Sequence, residues 1–109
     1  PEGLYFPCSP DDIATLLEFG LTAGDRKNVH LSRTIPNAME AGHVHIHRPA
    51  ILEVDTSRAI ADGHTIYRAG KTVFLTDEVP GEYLYQVEPD DPVLLEIVAQ
   101  WEQEEAEEE

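Results

Sequence analysis

The sequence predicts one α+β domain built from short strands and short helices. With 109 residues and 12.2 kDa, the chain can form one modest hydrophobic core but not two. Short runs in which apolar and polar residues alternate are typical of strands, and segments with apolar residues three and four apart are typical of helices. Because the two patterns are interspersed along the chain, strands and helices are expected to share one core.

The first half of the chain predicts two helices and two strands. Ser9, Pro10 and the two aspartates that follow form a helix start, since a hydroxyl can cap the first amides and acids favour this end of the helix dipole. Gly20 marks the end of this helix. The next elements are a strand over residues 28–32, a helix over 34–41 closed by Gly42, and a strand over 50–55. The last of these is almost continuously apolar, which predicts a central strand.

The second half predicts a short helix, three strands and a longer helix. These are a helix over residues 57–62 ending at Gly63, strands over 65–67 and 72–75 joined through Ala69-Gly70, and a strand over 83–87. Asp91 and Pro92 begin the last helix, whose apolar residues, Leu94, Ile97, Val98 and Trp101, recur at helical spacing. The glutamates of residues 102–109 lie at the negative end of this helix and repel one another, so we expect this end to fray.

The net charge of −15 is concentrated in the C-terminal part of the chain. Residues 72–109 contain thirteen acids and no base, whereas all seven Lys and Arg lie in residues 1–71. Because acidic surfaces repel phosphate backbones, any nucleotide contact is expected in the first part. No stretch approaches the ~20 apolar residues of a membrane-spanning helix. The single cysteine suits a reducing compartment. We therefore predict a cytoplasmic domain that binds neither membranes nor DNA.

Residues 26–32 are the first candidate for chemistry. Arg26 and Lys27 precede the predicted strand on which His30 and Ser32 share one face. Two cations followed by an imidazole and a hydroxyl suit a phosphate beside a ribose. The alternative is an exposed strand with ordinary polar residues, and periodicity by itself favours that alternative.

Three histidines form the second candidate. His43, His45 and His47 recur at a period of two and are expected on one face of a strand. Imidazoles placed in this way can bind Zn²⁺, but the sequence offers no evident fourth ligand. We therefore expect a solvent-facing or anion-receiving face and no structural metal.

The lone cysteine is the third candidate. Cys8 follows Pro7 at the start of the first helix, where a thiol can become a nucleophile. No signature of a cysteine enzyme surrounds it. We expect Cys8 to be a small apolar core residue.

Read in order, these segments resemble the RNA 2'-phosphotransferases, the family that removes splice-junction 2'-phosphates from tRNA with NAD. The resemblance covers residues 4 to about 84 in unbroken order. Its segments are Leu4-Tyr5, Phe19-Gly20-Leu21, Arg26 with Val29-His30-Leu31-Ser32, residues 38–42, residues 49–55, Asp62-Gly63-His64 with Ile66-Tyr67, residues 73–76 and residues 79–84. Each segment is weakly specific, whereas the ordered set is fairly specific.

The resemblance implies a fold and a set of functional residues. The fold is an ADP-ribosyltransferase-like split β-sheet core with short flanking helices, in one domain over residues 1–109 with an acidic helix and tail over 91–109. The residues implied to bind NAD are Tyr5, Arg26, His30, Ser32 and Val73, and those implied to act in catalysis are His30 and Arg48. In that family the RNA phosphate attacks the nicotinamide ribose carbon and expels nicotinamide. The ribose hydroxyl then takes the phosphate.

Three positions depart from the family pattern. Phe6-Pro7-Cys8 stands where the family has His-Gly-Thr, so a ribose partner and a backbone donor are lost. Gly42-His43-Val44 replaces Gly-x-Arg, which leaves Arg48 or one of the histidines to hold phosphate. Lys71-Thr72 replaces Asn-Gly. We therefore expect NAD or ADP-ribose to bind weakly.

The family also has an N-terminal winged-helix lobe that binds RNA and supplies an Arg-His pair, and we expect no such lobe in these 109 residues. The sequence predicts an NAD-dependent transferase of tRNA processing that acts on RNA only when a longer chain or a partner supplies that lobe. One alternative is a catalytically silent NAD- or ADP-ribose-binding or interaction module. The other is a metal-binding domain that uses the three histidines.

Overall fold

The computed structural model describes residues 3–108, and within them it shows eight strands and four α-helices. The strands are β1 (Gly3–Cys8), β2 (Leu21–Thr22), β3 (Val29–Ser32), β4 (Ala50–Asp55), β5 (Tyr67–Arg68), β6 (Val73–Thr76), β7 (Glu78–Val79) and β8 (Leu84–Gln86). The helices are α1 (Ile13–Phe19), α2 (Ile35–His43), α3 (Thr56–Ala61) and α4 (Pro92–Glu108), with 3₁₀ turns at Pro10–Asp12 and Gly81–Tyr83. The predicted mixture of strands and helices is confirmed. None of these helices is long and apolar enough to cross a membrane.

Six of the strands form one antiparallel sheet in the order β5-β6-β3-β1-β4-β8, and β2 pairs with β7 separately. β4 pairs with β1 on one side and with β8 on the other, which confirms its predicted central position. Alternation along β4 sends Leu52 and Val54 to one face of the sheet and Ile51 to the other.

Each face of the sheet supports its own apolar cluster. The first cluster joins the sheet to α1, α3 and the β2–β7 pair, and its largest members are Leu4, Leu21, Leu31, Leu52, Val54 and Tyr83. The second joins the sheet to α2 and α4, through Ala38, Met39, Ile51 and Leu94, with Tyr5, Ile97, Val98 and Trp101 packed against them. α4 is therefore fixed to the sheet by the helical stripe that the sequence predicted.

The two edges of β1 are paired very differently. β1 pairs with β4 at every position from Gly3 to Cys8, but with β3 only at Tyr5 and Ser32. Beyond that pair β1 reaches Pro7, which has no amide hydrogen to donate. The sheet opens between β1 and β3 at this point.

The predicted end of α2 is wrong by two residues. Gly42 lies inside the helix, where a Cβ would stand 2.6 Å from Pro7 Cβ and 3.0 Å from Pro49 Cγ. The glycine therefore permits close packing of α2 on these prolines and does not end the helix.

The prediction of a strand that carries the three histidines is also wrong. His43 ends α2, and the amides of His45 and Ile46 both donate to the Gly42 carbonyl, at 3.1 and 2.9 Å. The chain turns here, so the three histidines do not share a face. Apolar–polar alternation over five residues arises in a turn as readily as in a strand, and only the packing of α2 decides between them.

α4 continues to Glu108, whereas the sequence predicted a frayed end. Several side-chain contacts hold this part of the helix, among them a hydrogen bond from Gln103 to Glu107 at 3.5 Å and the approach of His47 to Glu105 at 3.9 Å. Gln100 donates to Glu104 at 3.3 Å along the helix, and Arg48 donates to Glu105 at 2.9 Å from outside it. A tertiary cation thus offsets part of the repulsion among the glutamates.

Candidate functional site

A cleft of about 600 Å³ lies where β1 and β3 part. Its volume is within the ~300–1,000 Å³ range of small-molecule sites in proteins. The residues that line it are Phe6, Pro7, Thr22, Ala23, Asp25, Arg26, Asn28, Val29, His30, Ser32, Ala41, Gly42, His45, Ile46 and Val73. They come from β1, the end of β2 and the segment that leads from it to β3, β3 itself, β6, and the end of α2 with the turn that follows.

One wall of the cleft is β3. Val29 and Leu31 are buried in the first cluster, so alternation leaves His30 exposed. His30 Nδ1 lies 3.1 Å from the Asn28 carbonyl. Because a carbonyl only accepts hydrogen bonds, Nδ1 carries the proton, and in the neutral ring Nε2 remains an acceptor for a ligand hydroxyl. Ser32 lines the same cleft, which confirms that the two side chains share a face.

The charges of the cleft are mixed. Arg26 and Asp25 lie on the segment before β3, and His45 lies on the turn after α2. Among residues 3–108 Arg26 is exposed and has no ion-pair partner, so its guanidinium is free to bind an anion. Arginine suits phosphates because its planar fork can donate two hydrogen bonds at once.

Four of the five residues predicted to bind NAD meet in this cleft, namely Arg26, His30, Ser32 and Val73. Tyr5 does not line it. Alternation along β1 places Tyr5 against the second cluster, with Met39 and Ile51. Burial there, followed by the charges of Glu53 and Asp91, raises the pKa of the Tyr5 phenol.

Arg48 also lies outside the cleft lining. Its Nη2 donates to Glu105 Oε1 at 2.9 Å, and its Cζ stands 5.6 Å from the centre of the Trp101 ring. Its guanidinium is thus directed to α4. The predicted role of Arg48 in holding phosphate stays a prediction, and it would require an exchange of Glu105 for phosphate.

The histidines have three different surroundings. His43 stacks on Trp101, with ring centres 3.9 Å apart and planes tilted by 18°. His45 lines the cleft, and His47 Nε2 stands 3.9 Å from Glu105 Oε1. Residues 3–108 bring no three His, Cys, Asp or Glu side chains into a group that could hold a metal.

Cys8 is confirmed as a buried core residue. Burial, followed by the nearby charge of Asp12, raises the pKa of its thiol to about 11. A thiol in this environment is protonated at neutral pH and is a poor nucleophile.

Sequence reasoning offered one of the histidines as a phosphate partner, and His45 does line the cleft, but it missed the wall that His45 forms with Ala41, Gly42 and Ile46. These residues reach the cleft because α2 packs on Pro7, and that contact is not visible in the sequence. The only available signal was Gly42, since a glycine near a predicted helix end also permits a close approach.

The architecture is thus that of an α+β domain with a ligand-sized cleft that can receive an anion. The family model described as "RNA 2'-phosphotransferase, Tpt1 / KptA family" matches residues 1–78. The chain belongs to this family, as the resemblance indicated.

Curated relatives agree. A protein of Thermoplasma acidophilum, named "Probable RNA 2'-phosphotransferase", is 36% identical over 96 residues, which cover 88% of this chain and 41% of the relative. Proteins with the same name in Methanosarcina acetivorans and Acaryochloris marina are 36% and 33% identical over 78% and 81% of this chain, and over 41% and 48% of their own lengths. The chain therefore spans less than half the length of these relatives.

Proposed function

We propose that this domain binds NAD in the cleft between β1 and β3 and forms the NAD-binding part of an RNA 2'-phosphotransferase. One observation carries the proposal. Arg26, His30 and Ser32 of residues 26–32 and the distant Val73 belong to a chain of this family, and they meet on one cleft of ligand size.

The chemistry of the lining suits NAD. Phe6, Ile46 and Val73 offer apolar surface for the rings of a dinucleotide. Arg26 offers a free cation for its phosphates, and His30 offers an acceptor for a ribose hydroxyl.

In the proposed reaction an RNA 2'-phosphate attacks the ribose carbon and expels nicotinamide, after which a ribose hydroxyl takes the phosphate and the RNA is released. His30 holds the ribose in position, and the cations of the cleft keep the anionic phosphate beside the reacting carbon. Arg48 contributes to phosphate binding when phosphate replaces Glu105 as its partner.

We further propose that the parting of β1 and β3 corresponds to the split of an ADP-ribosyltransferase-like sheet. The single register pair between these strands supports this assignment. The assignment also depends on the cleft, which lies where β1 and β3 part.

A titration with NAD, followed by NMR, tests the binding proposal. We expect shifts at Arg26, His30, Ser32 and Val73. Weak binding is expected because Phe6 and Pro7 replace two groups that form hydrogen bonds in the family pattern. Each lost hydrogen bond costs ~0.5–1.5 kcal/mol, so the two losses together lower the affinity roughly 5- to 150-fold. Absence of shifts at millimolar NAD, or shifts confined to another surface, would contradict the proposal.

A phosphate-release assay tests the activity. We expect no NAD-dependent removal of a 2'-phosphate by the 109 residues alone, because RNA binding is largely electrostatic and the net charge is −15. Activity is expected when a winged-helix lobe is joined or added, and His30→Ala and Arg48→Ala should each reduce it. Rapid removal by the 109 residues alone, or a reconstituted enzyme indifferent to both substitutions, would show the proposal to be wrong.

A silent NAD- or ADP-ribose-binding module is the second candidate. Phe6 and Pro7 favour it, because they line the cleft and offer no hydrogen bond to a ribose. Release of nicotinamide by the reconstituted protein decides between the two candidates. Binding in the cleft with no release supports the silent module.

A further inference from the structure

The segment from His43 to Arg48 has two sides. On one side His45 and Ile46 form a wall of the cleft. On the other side His43, His47 and Arg48 meet α4. One short stretch of irregular backbone therefore connects α4 to the proposed ligand site.

Trp101 and Glu105, one turn apart on α4, make the contacts to this segment. Trp101 carries the stacked ring of His43 at 3.9 Å and lies under the Arg48 guanidinium at 5.6 Å. Glu105 accepts a hydrogen bond from Arg48 at 2.9 Å. Arg48 also donates from Nη1 to the His47 carbonyl at 2.9 Å, so one guanidinium ties the segment's own backbone to the helix.

α4 is itself held in place by packing on the sheet and α2. Leu94 is buried against Ala38, Met39 and Ile51, and Ile97 and Val98 pack on the same cluster. The segment itself is held more weakly: the amides of His45 and Ile46 donate to the Gly42 carbonyl, but the side chains of His43, His45 and His47 are exposed. α4 also begins after residue 78, where the match to the family model ends.

We propose that α4 positions one wall of the cleft, with Trp101 and Glu105 as positioning residues that hold the segment from His43 to Arg48. His45 and Ile46 keep their places because the opposite side of their segment is fixed to the helix. The effect on ligand binding rests on the proposed function, whereas the effect on the segment does not.

Hydrogen exchange of the free protein tests the positioning. Trp101→Leu keeps an apolar side chain but removes the flat ring, and Trp101→Phe keeps a ring. Leu95→Ala is the matched control, because Leu95 is on the same helix and 53% exposed. We expect the amides of His45 and Ile46 to exchange faster in Trp101→Leu than in the unchanged protein, and to exchange at the unchanged rate in Trp101→Phe and Leu95→Ala. Unchanged exchange in that variant, with α4 still helical, would overturn the proposal.

A second pair of variants covers the case in which Trp101→Leu fails to fold. Glu105→Gln removes the negative charge that pairs with Arg48 and leaves an amide oxygen as a weaker acceptor, whereas Glu104→Gln makes the same change of charge one residue away, at a side chain hydrogen-bonded to Gln100. We expect faster exchange of the same two amides in Glu105→Gln than in Glu104→Gln. Equal exchange in the two variants would overturn the proposal.

Titration with NAD then measures the consequence for the cleft. We expect about two- to tenfold weaker binding in Trp101→Leu, since aromatic stacking and cation–π contacts have this magnitude, and near-normal binding in Trp101→Phe. Glu105→Gln should weaken binding by less than about threefold. If the unchanged protein does not bind NAD in the cleft, the proposed function fails while hydrogen exchange still decides the positioning. If it does bind NAD, equal affinity in Trp101→Leu would overturn the link between α4 and the cleft.

Discussion

The two edges of β1 differ in how they are paired and in what lies beside them. Along its edge with β4 the pairing is continuous from Gly3 to Cys8, and the facing side chains enter both clusters. Along its edge with β3 the pairing is confined to Tyr5 and Ser32, and the gap beyond becomes the cleft. The comparison indicates that substitutions at the first edge should affect unfolding, whereas substitutions at the second should affect ligand binding.

The reason is the different composition of the two edges. β4 contributes Ile51, Leu52 and Val54, all fully buried. The cleft edge instead presents His30 and Arg26, which are exposed. Burial of apolar side chains stabilises a fold by ~1.5–3 kcal/mol each, whereas exposed polar groups contribute little until a ligand binds them.

The largest effect is expected at the β1–β4 edge. Leu52→Ala should lower the free energy of unfolding by ~2–5 kcal/mol, because it leaves a cavity beside residues that cannot fully collapse. His30→Ala, at the other edge, should change it by less than about 0.5 kcal/mol. Urea unfolding of both variants measures the difference, and similar losses would remove the distinction between the edges.

Two glycines extend the contrast between the packed core and the open cleft. Gly20 has φ 86° and ψ −179°, a conformation that is essentially confined to glycine, and a Cβ there would collide with the Val79 carbonyl. Gly24 lies between Ala23 and Asp25, which line the cleft, and it has φ 60° and open space around it. Gly20→Ala should therefore destabilise the fold by about 2 kcal/mol or more, and Gly24→Ala by about 1 kcal/mol.

Thermal or urea unfolding of these two variants checks the order. Gly24→Asn is the control, because asparagine tolerates the left-handed region better than alanine does. If Gly24→Ala lowered the free energy of unfolding more than Gly20→Ala does, the tighter packing would lie beside the cleft, contrary to the expected order.

A smaller effect is expected on ligand affinity. His30→Ala should weaken NAD or ADP-ribose binding by about two- to twelvefold, the equivalent of one hydrogen bond of ~0.5–1.5 kcal/mol. His64→Ala is the histidine control, since His64 lies beside Tyr83 and does not line the cleft. Calorimetry measures both, and equal affinities would exclude His30 from the binding site.

The smallest effect at neutral pH concerns Cys8, whose neutral thiol is favoured by burial in the folded state. The unfolded thiol ionises near its ordinary pKa of 9.0, whereas the folded thiol ionises at about 11. Stability should therefore fall as the pH rises through this window, because the unfolded state then binds fewer protons.

Cys8→Ala isolates this contribution. Tyr83, whose pKa is raised by its hydrogen bond to Asp62, also affects stability at alkaline pH, but it is present in both proteins. Urea unfolding below and within the window should show a steeper loss in the unchanged protein than in Cys8→Ala. Identical slopes would mean that the folded thiol is not protected from ionisation.

Local signals in the sequence predicted most elements. The Ser9-Pro10 start, the Gly20 stop and the central position of β4 are all confirmed. Some bounds differ because neighbours decide them. A strand was predicted over residues 83–87, but Gly81–Tyr83 form a 3₁₀ turn and β8 covers Leu84–Gln86. β5 covers Tyr67–Arg68, whereas the prediction placed it over residues 65–67.

The candidate site could be predicted only along β3 and its surroundings. Residues 26–32 are close in sequence, so a motif and an alternation were enough to place His30 and Ser32 together. The role of each predicted site residue stays a prediction. Tyr5 shows the limit of this reasoning, because its place depends on which face of β1 meets α2 and α4.

Residue order and local spacing were enough to predict the family, the α+β class and the strand that carries His30. Tertiary contacts were needed to show that the sheet opens beside Pro7, that His45 faces the cleft while His43 and His47 face α4, and that Arg48 meets Glu105. These features depend on contacts between residues far apart in the chain, above all the packing of α2 on Pro7 and of α4 on the segment that follows α2. Periodicity reports which face of an element is apolar, but it does not report which element covers that face.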